Sequence, residues 1–347
     1  LATLSGFLSG IENPIAWFFR LVFIWYGFLF LVVLFQSKLS QSRVDRILWI
    51  VVLSAFMQAI VGIIQISEVN FLVPLLNWHR PYGVFQQINN QASYQVTGLI
   101  IAVYLLVRPY ILKGAEWKKI TLLLFLALSS FTIVYSGSRV GLLALLTSLP
   151  IVTFGVWKIL NKNKNLALAA LLFFVLGVML GQSGLSKTKD KIDLIANGYS
   201  ANQRLVIYSI SSELIKQKPI FGHGIGSFIY KWQFEKAPFF EEHPGANITI
   251  FVGHPHNELL LWAVEGGAVT ILGMVLLSAG LLLTLKSKNN PRMWIFMSFL
   301  IPILLHTQVE LPFYNSSLHW FLGVFLIFNF MRATRVTKVF SVSRSMR

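Results

Sequence analysis

The sequence predicts an all-α protein that crosses a membrane about nine times, and three observations carry this prediction. First, 55% of the 347 residues are hydrophobic, only 12% are charged, and the mean hydropathy is +0.67. Soluble domains carry roughly 25% charged residues, so this much apolar surface could not be hidden in soluble cores. Second, apolar runs long enough for a bilayer, which needs about 20 residues, recur along the chain. Third, the positive charge is confined to alternate connections between these runs.

The apolar runs and the connections between them divide the chain into four units. We predict a bundle of six spans over 1–182, a large outer loop over 183–255, C-terminal membrane helices over 256–331 and a basic tail over 332–347. Within the outer loop, 202–217 has an amphipathic helical pattern that ends before Pro219. The nine predicted spans are 15–36, 44–66, 90–108, 118–135, 139–157, 165–182, 256–285, 292–306 and 316–331. The apolar stripe of the amphipathic helix contains Leu205, Ile207, Tyr208, Ile210, Leu214 and Ile215.

The distribution of charge predicts the orientation in the membrane. One alternate set of connections contains 18 of the 29 Lys and Arg residues and two of the 13 acidic residues, which is the whole net charge of +16. By the positive-inside rule these connections and the tail are cytoplasmic. The pI of about 10.1 therefore reflects topology, and we expect no nucleic-acid partner. This set comprises 37–47, 108–119, 158–164, 286–292 and 332–347.

The start of the chain and its composition indicate a bacterial envelope protein. The orientation places residues 1–14 outside, and the sequence begins at Leu1 without a signal-peptide pattern. We therefore expect one or more further spans upstream. The absence of cysteine excludes disulfides, thiolate nucleophiles and cysteine-ligated metals. We expect a multi-pass protein of the bacterial inner membrane, surrounded by membrane lipids, with its polar site facing the periplasm.

The strongest polar cluster, 253–258, opens the seventh span. Pro255 suits the first position of a helix, which would place His256 and Asn257 in the first turn. The helix dipole there disfavours a second proton on imidazole, so His256 is a candidate general base with His254 beside it. The alternative is a histidine that merely caps the helix. Glu258 is near the start of the same helix and lies on one face with a second carboxylate, that of Glu265, seven residues later. We expect that second carboxylate to be the buried partner of a cation.

Three arginines at the outer ends of helices form a second set of candidates. They are Arg80, Arg139, which follows the tight turn 136–138, and Arg204. The guanidinium group is always charged and binds phosphate with two parallel hydrogen bonds. A single arginine at a helix end can instead extend to lipid headgroups, but a set of three favours an anionic ligand.

A third cluster, 306–320, connects the last two spans and is too polar for a simple connection. It contains His306, Gln308, Glu310 and Tyr314. An aromatic belt at the membrane interface would explain the tyrosine but not the glutamate. The two histidines at 254 and 256 could ligate zinc, but no carboxylate lies at ligand spacing beside them. We expect no metal and no cofactor. The glycine run 222–226 lacks the lysine and serine or threonine of a P-loop, and we interpret it as a helix-terminating loop.

Together these segments resemble the O-antigen ligase superfamily. Three segments resemble its general motifs: His256-Asn257 followed by Gly267 and Thr270, the turn Ser136-Gly-Ser-Arg139-Val-Gly141, and the stretch from Gln203-Arg204 to Phe228. Two further segments are similar to motifs of the PglL-type protein O-oligosaccharyltransferases. They are Arg80-Pro-Tyr-Gly83 with Gln87-Ile-Asn89 and Ala92-Ser93, and His306-Thr-Gln308-Val-Glu310-Leu-Pro-Phe-Tyr314.

The resemblance implies a GT-C-like enzyme without metal or cofactor. Such an enzyme transfers a preassembled glycan from a lipid-linked oligosaccharide, undecaprenyl diphosphate glycan, to an acceptor hydroxyl at the periplasmic face. It implies His256 as the base and a diphosphate site made by Arg80, Arg139 and Arg204. Donor or acceptor positioning would fall to Gln87, Asn89, His254, Asn257, Glu258, His306, Gln308, Glu310 and Tyr314.

Several acceptors and one different class of function stay open on the sequence. The acceptor could be Ser or Thr of a protein such as a pilin, the lipid A core, or a growing O-antigen chain; segments 80–93 and 306–314 favour protein. A non-catalytic binder or flippase of polyprenyl diphosphate could use the same arginines. A flippase has no need of a neutral imidazole at 256, whereas a transferase does.

Overall fold

The computed structural model describes residues 1–67, 69, 80–85, 87–185, 201–244, 251–286 and 291–334, and in these residues the chain forms helices and turns but no strand. Parts of the predicted loop 183–255 and most of the predicted tail 332–347 lie outside the described residues. The helices are α1 Ala2–Leu8, α2 Pro14–Gln36, α3 Gln41–Ile66, α4 Ile88–Leu106, α5 Pro109–Leu112, α6 Glu116–Ser136, α7 Arg139–Leu160, α8 Lys164–Gly181, α9 Ala201–Gln217, α10 Phe228–Glu242, α11 Glu258–Lys286, α12 Pro291–Thr307, α13 Pro312–Asn315 and α14 Ser317–Thr334.

The all-α membrane class is confirmed. Each of the nine apolar runs forms a helix at the expected place, and six described helices are long and apolar enough to cross a membrane: α2, α3, α6, α7, α8 with the turn that follows it, and α11. The apolar helices α12 and α14 are shorter, and α4 carries more polar side chains. Local hydropathy therefore located the helices well, because lipid selects for apolar length.

Helix α4 is the centre of the bundle. It packs against α3, α6, α7 and α12, and all of its residues except Asn89 are buried. Its buried glutamines bond to the backbone of α3: Gln91 Nε2 donates to Gln58 O at 3.0 Å and Gln95 Nε2 to Ala55 O at 2.8 Å. Because a polar group in a membrane interior needs a partner, these bonds fix the register between α3 and α4.

Helices α6 and α8 pack closely because small residues line their contact. A side chain at Gly177 would meet the carbonyl oxygen of Ala127, and one at Gly181 would lie 2.8 Å from the carbonyl oxygen of Phe131. Without a hydrophobic driving force between helices in lipid, such close backbone approach gives the packing energy.

Helix α11 is broken near its outer end, and the glycine run enters the break. Gly267 has φ 61° and ψ −164°, a conformation open almost only to glycine. Thr270 Oγ1 donates to the carbonyl of Gly266 at 3.0 Å. Segment 219–224 therefore satisfies backbone groups that the break frees. Four backbone bonds join the segments: His223 N to Val264 O at 2.9 Å, Gly224 N to Glu265 O at 2.9 Å, Ala268 N to Pro219 O at 2.8 Å and Val269 N to Ile220 O at 3.1 Å.

The outer helices α9 and α10 pack on the first turns of α11. The amphipathic helix predicted over 202–217 is confirmed as α9, and Ile207, Ile210 and Leu214 are buried against Phe228 and Trp232. The inclusion of Leu205 in its apolar stripe is wrong, since this side chain is 61% exposed. The glycine run does follow the end of α9, as expected for a helix-terminating loop, but it also docks into the break of α11.

Substitution of Gly267 by alanine should destabilise the fold. The new Cβ would meet the carbonyl of Ile220 at a φ that L-residues avoid, so we expect the free energy of unfolding to fall by about 1–3 kcal/mol. Thermal unfolding in detergent measures this change. Gly280→Ala in the same helix is the control, because nothing lies within 4 Å of its added Cβ. Equal unfolding temperatures for the two variants would contradict the role of the break.

Candidate functional site

The segment before α11 holds His256 outside the helix. Asn257 Oδ1 accepts a hydrogen bond from Leu260 N at 2.9 Å, as a residue that caps a helix does, and α11 begins at Glu258. The prediction that Pro255 is the first helical residue is therefore wrong, because the asparagine cap sets the start three residues later, at Glu258. His256 itself has φ 53°, which is unusual for a residue with a side chain.

His256 and Glu310 form the centre of the site. His256 Nδ1 lies 3.0 Å from Glu310 Oε2, and the side chains are 26% and 11% exposed. A carboxylate only accepts hydrogen bonds, so the proton of the neutral imidazole is on Nδ1. The lone pair is then on Nε2, where it can take a proton from a ligand.

His254 braces His256. Its Nδ1 accepts a hydrogen bond from the backbone N–H of His256 at 3.2 Å, and its Nε2 lies 4.0 Å from Glu310 Oε2. Burial, followed by the neighbouring His256, lowers the pKa of His254 to about 4, so this imidazole stays neutral near pH 7 and can accept that bond. The bond supports the left-handed backbone of His256, a strain that is typical of functional sites.

The third predicted cluster reaches this segment through its backbone. Asn257 Nδ2 donates to the carbonyl of Gln308 at 3.1 Å. In its side chain, Gln308 Nε2 donates to Oγ1 of the neighbouring Thr307 at 2.9 Å. Of the predicted positioning residues, the structure thus brings His254, Asn257 and Glu310 together around His256.

His306 belongs to a separate buried network that joins three helices. Its Nδ1 lies 2.8 Å from Ser93 Oγ of α4, which is also 3.1 Å from His319 Nε2 of α14. His319 Nδ1 continues to Ser316 Oγ at 2.9 Å. Residues His306 and His319 are fully buried. The motif likeness included Ser93, but its bonds to the two histidines were not predicted, because they depend on how α4, α12 and α14 pack.

The buried carboxylate of Glu265 has the cationic partner that was expected, and this prediction is confirmed. The partner is Arg20 of α2, and Glu265 Oε1 also accepts from Phe228 N at 3.1 Å. Sequence reasoning missed Arg20, although a single charge inside an apolar span was a signal for it. The Arg20 guanidinium carbon lies 4.4 Å from the centre of the Tyr314 ring. Glu258 lies within electrostatic range of the same guanidinium.

The three predicted phosphate-binding arginines lie on separate elements. Arg139 is exposed at the first position of α7, after the tight turn in which Ser138 Oγ donates to Asn89 Oδ1 at 2.7 Å. Arg80 precedes a loop held by Gln65, whose side chain bonds both backbone groups of Gly83. Arg204 is half-buried on α9. Within the described ranges none of these arginines pairs with an acidic residue, so their charges are available to an anion.

Two predicted positioning residues, Gln87 and Asn89, accept hydrogen bonds that stabilise the fold in the same region. Gln87 caps α4, since its Oε1 accepts from Asn90 N at 2.6 Å. Asn89 accepts the bond from the tight turn described above. Their side chains fix the start of α4 beside the turn that carries Arg139.

His254, His256 and Glu310 are also the one group of metal-ligating side chains found in the described ranges, with one ligand atom from each within 4.8 Å of the others. The expectation of no metal rested on the lack of a carboxylate near the histidines in sequence. The fold supplies that carboxylate from a segment more than fifty residues away.

Comparisons with known proteins found one family model and one curated relative that match the chain. Residues 124–275 match the family model described as O-antigen ligase. A general O-oligosaccharyltransferase of Acinetobacter baylyi (strain ATCC 33305 / BD413 / ADP1) is 25% identical over 267 residues, covering 70% of this chain and 44% of the relative. The chain thus spans less than half the length of that relative. No solved structure matches the chain.

Removal of Arg20 should destabilise the protein by leaving Glu265 as an unpaired buried charge. We expect Arg20→Met to cost about 3–5 kcal/mol and the double variant R20M/E265Q to cost less than the sum of its parts. Chemical or thermal unfolding of the two single variants and the double variant measures the coupling. Lys216→Met, which breaks an exposed pair with Glu213, should cost under about 1 kcal/mol. Strict additivity of the Arg20 and Glu265 substitutions would contradict the pairing.

Proposed function

The chain belongs to the O-antigen ligase superfamily, and from this premise we propose that it is a glycosyltransferase that moves a preassembled glycan from undecaprenyl diphosphate to an acceptor hydroxyl. The observation that carries the proposal is the contact of His256 Nδ1 with Glu310 Oε2 at 3.0 Å. It orients a neutral imidazole with its free lone pair away from the carboxylate. A protein that only binds or flips a lipid diphosphate has no need of such a base.

The base acts on the acceptor hydroxyl. His256 Nε2 takes the proton as the hydroxyl oxygen forms its bond to the anomeric carbon of the glycan, and the imidazole becomes an imidazolium ion. Glu310 stabilises this ion through the hydrogen bond from Nδ1, the role that the carboxylate has in a Ser-His-Asp triad. Because the hydroxyl attacks opposite the leaving group, the configuration at the anomeric carbon inverts.

The arginines act on the leaving group. As the bond between the anomeric carbon and the phosphate oxygen breaks, its electron pair leaves with the diphosphate. Arg80, Arg139 and Arg204 stabilise this charge, which is larger in the transition state than in the bound donor. In this scheme the arginines neutralise the leaving diphosphate, as a divalent cation does in other sugar transferases. The reaction therefore needs no metal or cofactor.

A protein is the acceptor that the observations favour. The matched relative is described as a general O-oligosaccharyltransferase, and the segments of Gln87 and Tyr314 carry the likeness to the protein-modifying branch. We therefore propose Ser or Thr of a protein such as a pilin as acceptor, at the periplasmic face of the bacterial inner membrane. Lipid A core and O-antigen chains are the other acceptors that a test must include.

Substitution of His256 by alanine should abolish transfer without unfolding the protein. Loss of a general base costs about 10²–10⁴-fold in rate. Glu310→Gln should lower the rate less, since the amide can still bond to the imidazole but no longer balances its charge. Cells that supply a lipid-linked oligosaccharide and a candidate pilin provide the assay, read by mass spectrometry of the pilin and by the lipopolysaccharide ladder.

The control for these variants is His243→Ala, an exposed histidine at the end of α10. It should transfer glycan like the wild type. A change confined to the lipopolysaccharide ladder would move the acceptor to lipid or glycan, and undiminished transfer by His256→Ala would disprove the mechanism.

Arg139→Ala should weaken binding of the donor diphosphate. A hydrogen bond to a charged group contributes about 1.5–3 kcal/mol, so we expect the affinity to fall about tenfold or more. Thermal stabilisation of the purified protein by undecaprenyl diphosphate measures the affinity. Arg43→Ala removes an exposed arginine at the opposite end of the bundle and should leave the affinity unchanged. If both variants bind the donor equally well, Arg139 has no part in the diphosphate site.

A further inference from the structure

The carboxylate of Glu310 lacks a permanent positive partner. Its side chain is 11% exposed, and within the described part of the chain its ion-pair contacts are with His254 and His256, not with a lysine or arginine. A buried negative charge without a counter-charge is costly. The site therefore attracts a cation when no reaction supplies an imidazolium ion.

We propose that His254, His256 and Glu310 form a binding site for Zn²⁺ or a similar divalent transition-metal ion, and that the bound ion stops glycan transfer. The site itself goes beyond the proposed function; the inhibitory effect rests on it. Two imidazoles and one carboxylate are a ligand set that zinc accepts.

The three ligand atoms are close to the spacing that zinc requires. Zinc bonds of about 2.0–2.1 Å in a tetrahedron place neighbouring ligand atoms about 3.3–3.4 Å apart. His256 Nδ1 lies 3.0 Å from Glu310 Oε2, and His254 Nε2 lies 4.0 Å from the same oxygen. One ligand atom from each of the three residues lies within 4.8 Å of the other two. Side-chain shifts of under about 1 Å would bring these two histidine–glutamate pairs to that spacing. The side chains of both histidines are about a quarter exposed, which leaves a fourth position open to water.

Metal binding and base catalysis exclude each other because they need opposite tautomers. A metal on Nδ1 of His256 replaces the proton there, so the neutral imidazole carries its proton on Nε2 and has no lone pair for the acceptor hydroxyl. A metal on Nε2 of His254 likewise moves its proton to Nδ1. The backbone N–H of His256 then loses its acceptor. The bound ion thus removes both the lone pair of His256 that would accept the proton and the hydrogen bond that His254 accepts from the His256 backbone.

Zinc binding is measured first, without glycan donor. Purified protein without a histidine tag competes with a chromophoric chelator for Zn²⁺, and we expect one ion that depends on the cluster. His254→Ala and Glu310→Gln should each weaken that binding at least about tenfold. Loss of a residue that only hydrogen-bonds to a metal ligand already lowers metal affinity by about tenfold or more. His243→Ala should bind like the wild type. Equal binding by all four proteins, at matched unfolding temperatures, would overturn the site.

Inhibition is measured second, in the transfer assay. Zn²⁺ should stop transfer by the wild type and by His243→Ala over the concentration range in which it binds, and EDTA should restore the rate. Full transfer by a protein saturated with zinc would overturn the inhibitory role. Since the first measurement uses no donor, it decides the metal site even if transfer is absent, and that absence would count against the proposed function alone.

Discussion

Backbone groups inside a membrane protein must be hydrogen-bonded, and the arrangement of the helices around the site depends on how this is achieved at the break of α11 at Gly267. A helix broken inside a candidate membrane span must find new partners for its carbonyl and N–H groups. Segment 219–224 provides them through four backbone bonds. The outer helices α9 and α10 are thereby attached to α11, which begins two residues after His256. The position of the outer unit relative to His256 is therefore set by main-chain geometry and tolerates little change at Gly267.

The same junction carries the buried charge. The backbone carbonyl of Glu265 accepts a hydrogen bond from the N–H of Gly224. Its carboxylate accepts a hydrogen bond from the N–H of Phe228 and pairs with Arg20. Three helices, α2, α10 and α11, thus meet at one side chain. Tyr314 lies against the Arg20 guanidinium, so the last outer connection contacts the same point. Catalytic groups need such support, because small displacements of the supporting residues reduce the rate.

The helices could be predicted from sequence because hydropathy is a local property, and the candidate site because polar groups near lipid are rare and costly. The pairing of His256 with Glu310 could not, since it depends on how α11 and the connection after α12 meet. The helix start at Glu258 was misplaced because two local rules compete, proline at the first position and asparagine as the cap. The pairing of Arg20 with Glu265 could not be predicted either, since it depends on how α2 and α11 pack, although a single charge inside an apolar span indicates a buried partner.

The distribution of unpaired charge connects the site to its chemistry. Among the described residues the three arginines have no acidic partner, and Glu310 has no basic partner other than histidine. Had an arginine paired with Glu310, neither could serve a substrate, because each charge would already be neutralised. In the proposed reaction, the arginines match the charge of a departing diphosphate, and the carboxylate matches an imidazolium ion that exists only once the hydroxyl has lost its proton. Interactions of this kind strengthen in the transition state, which is the condition for faster reaction.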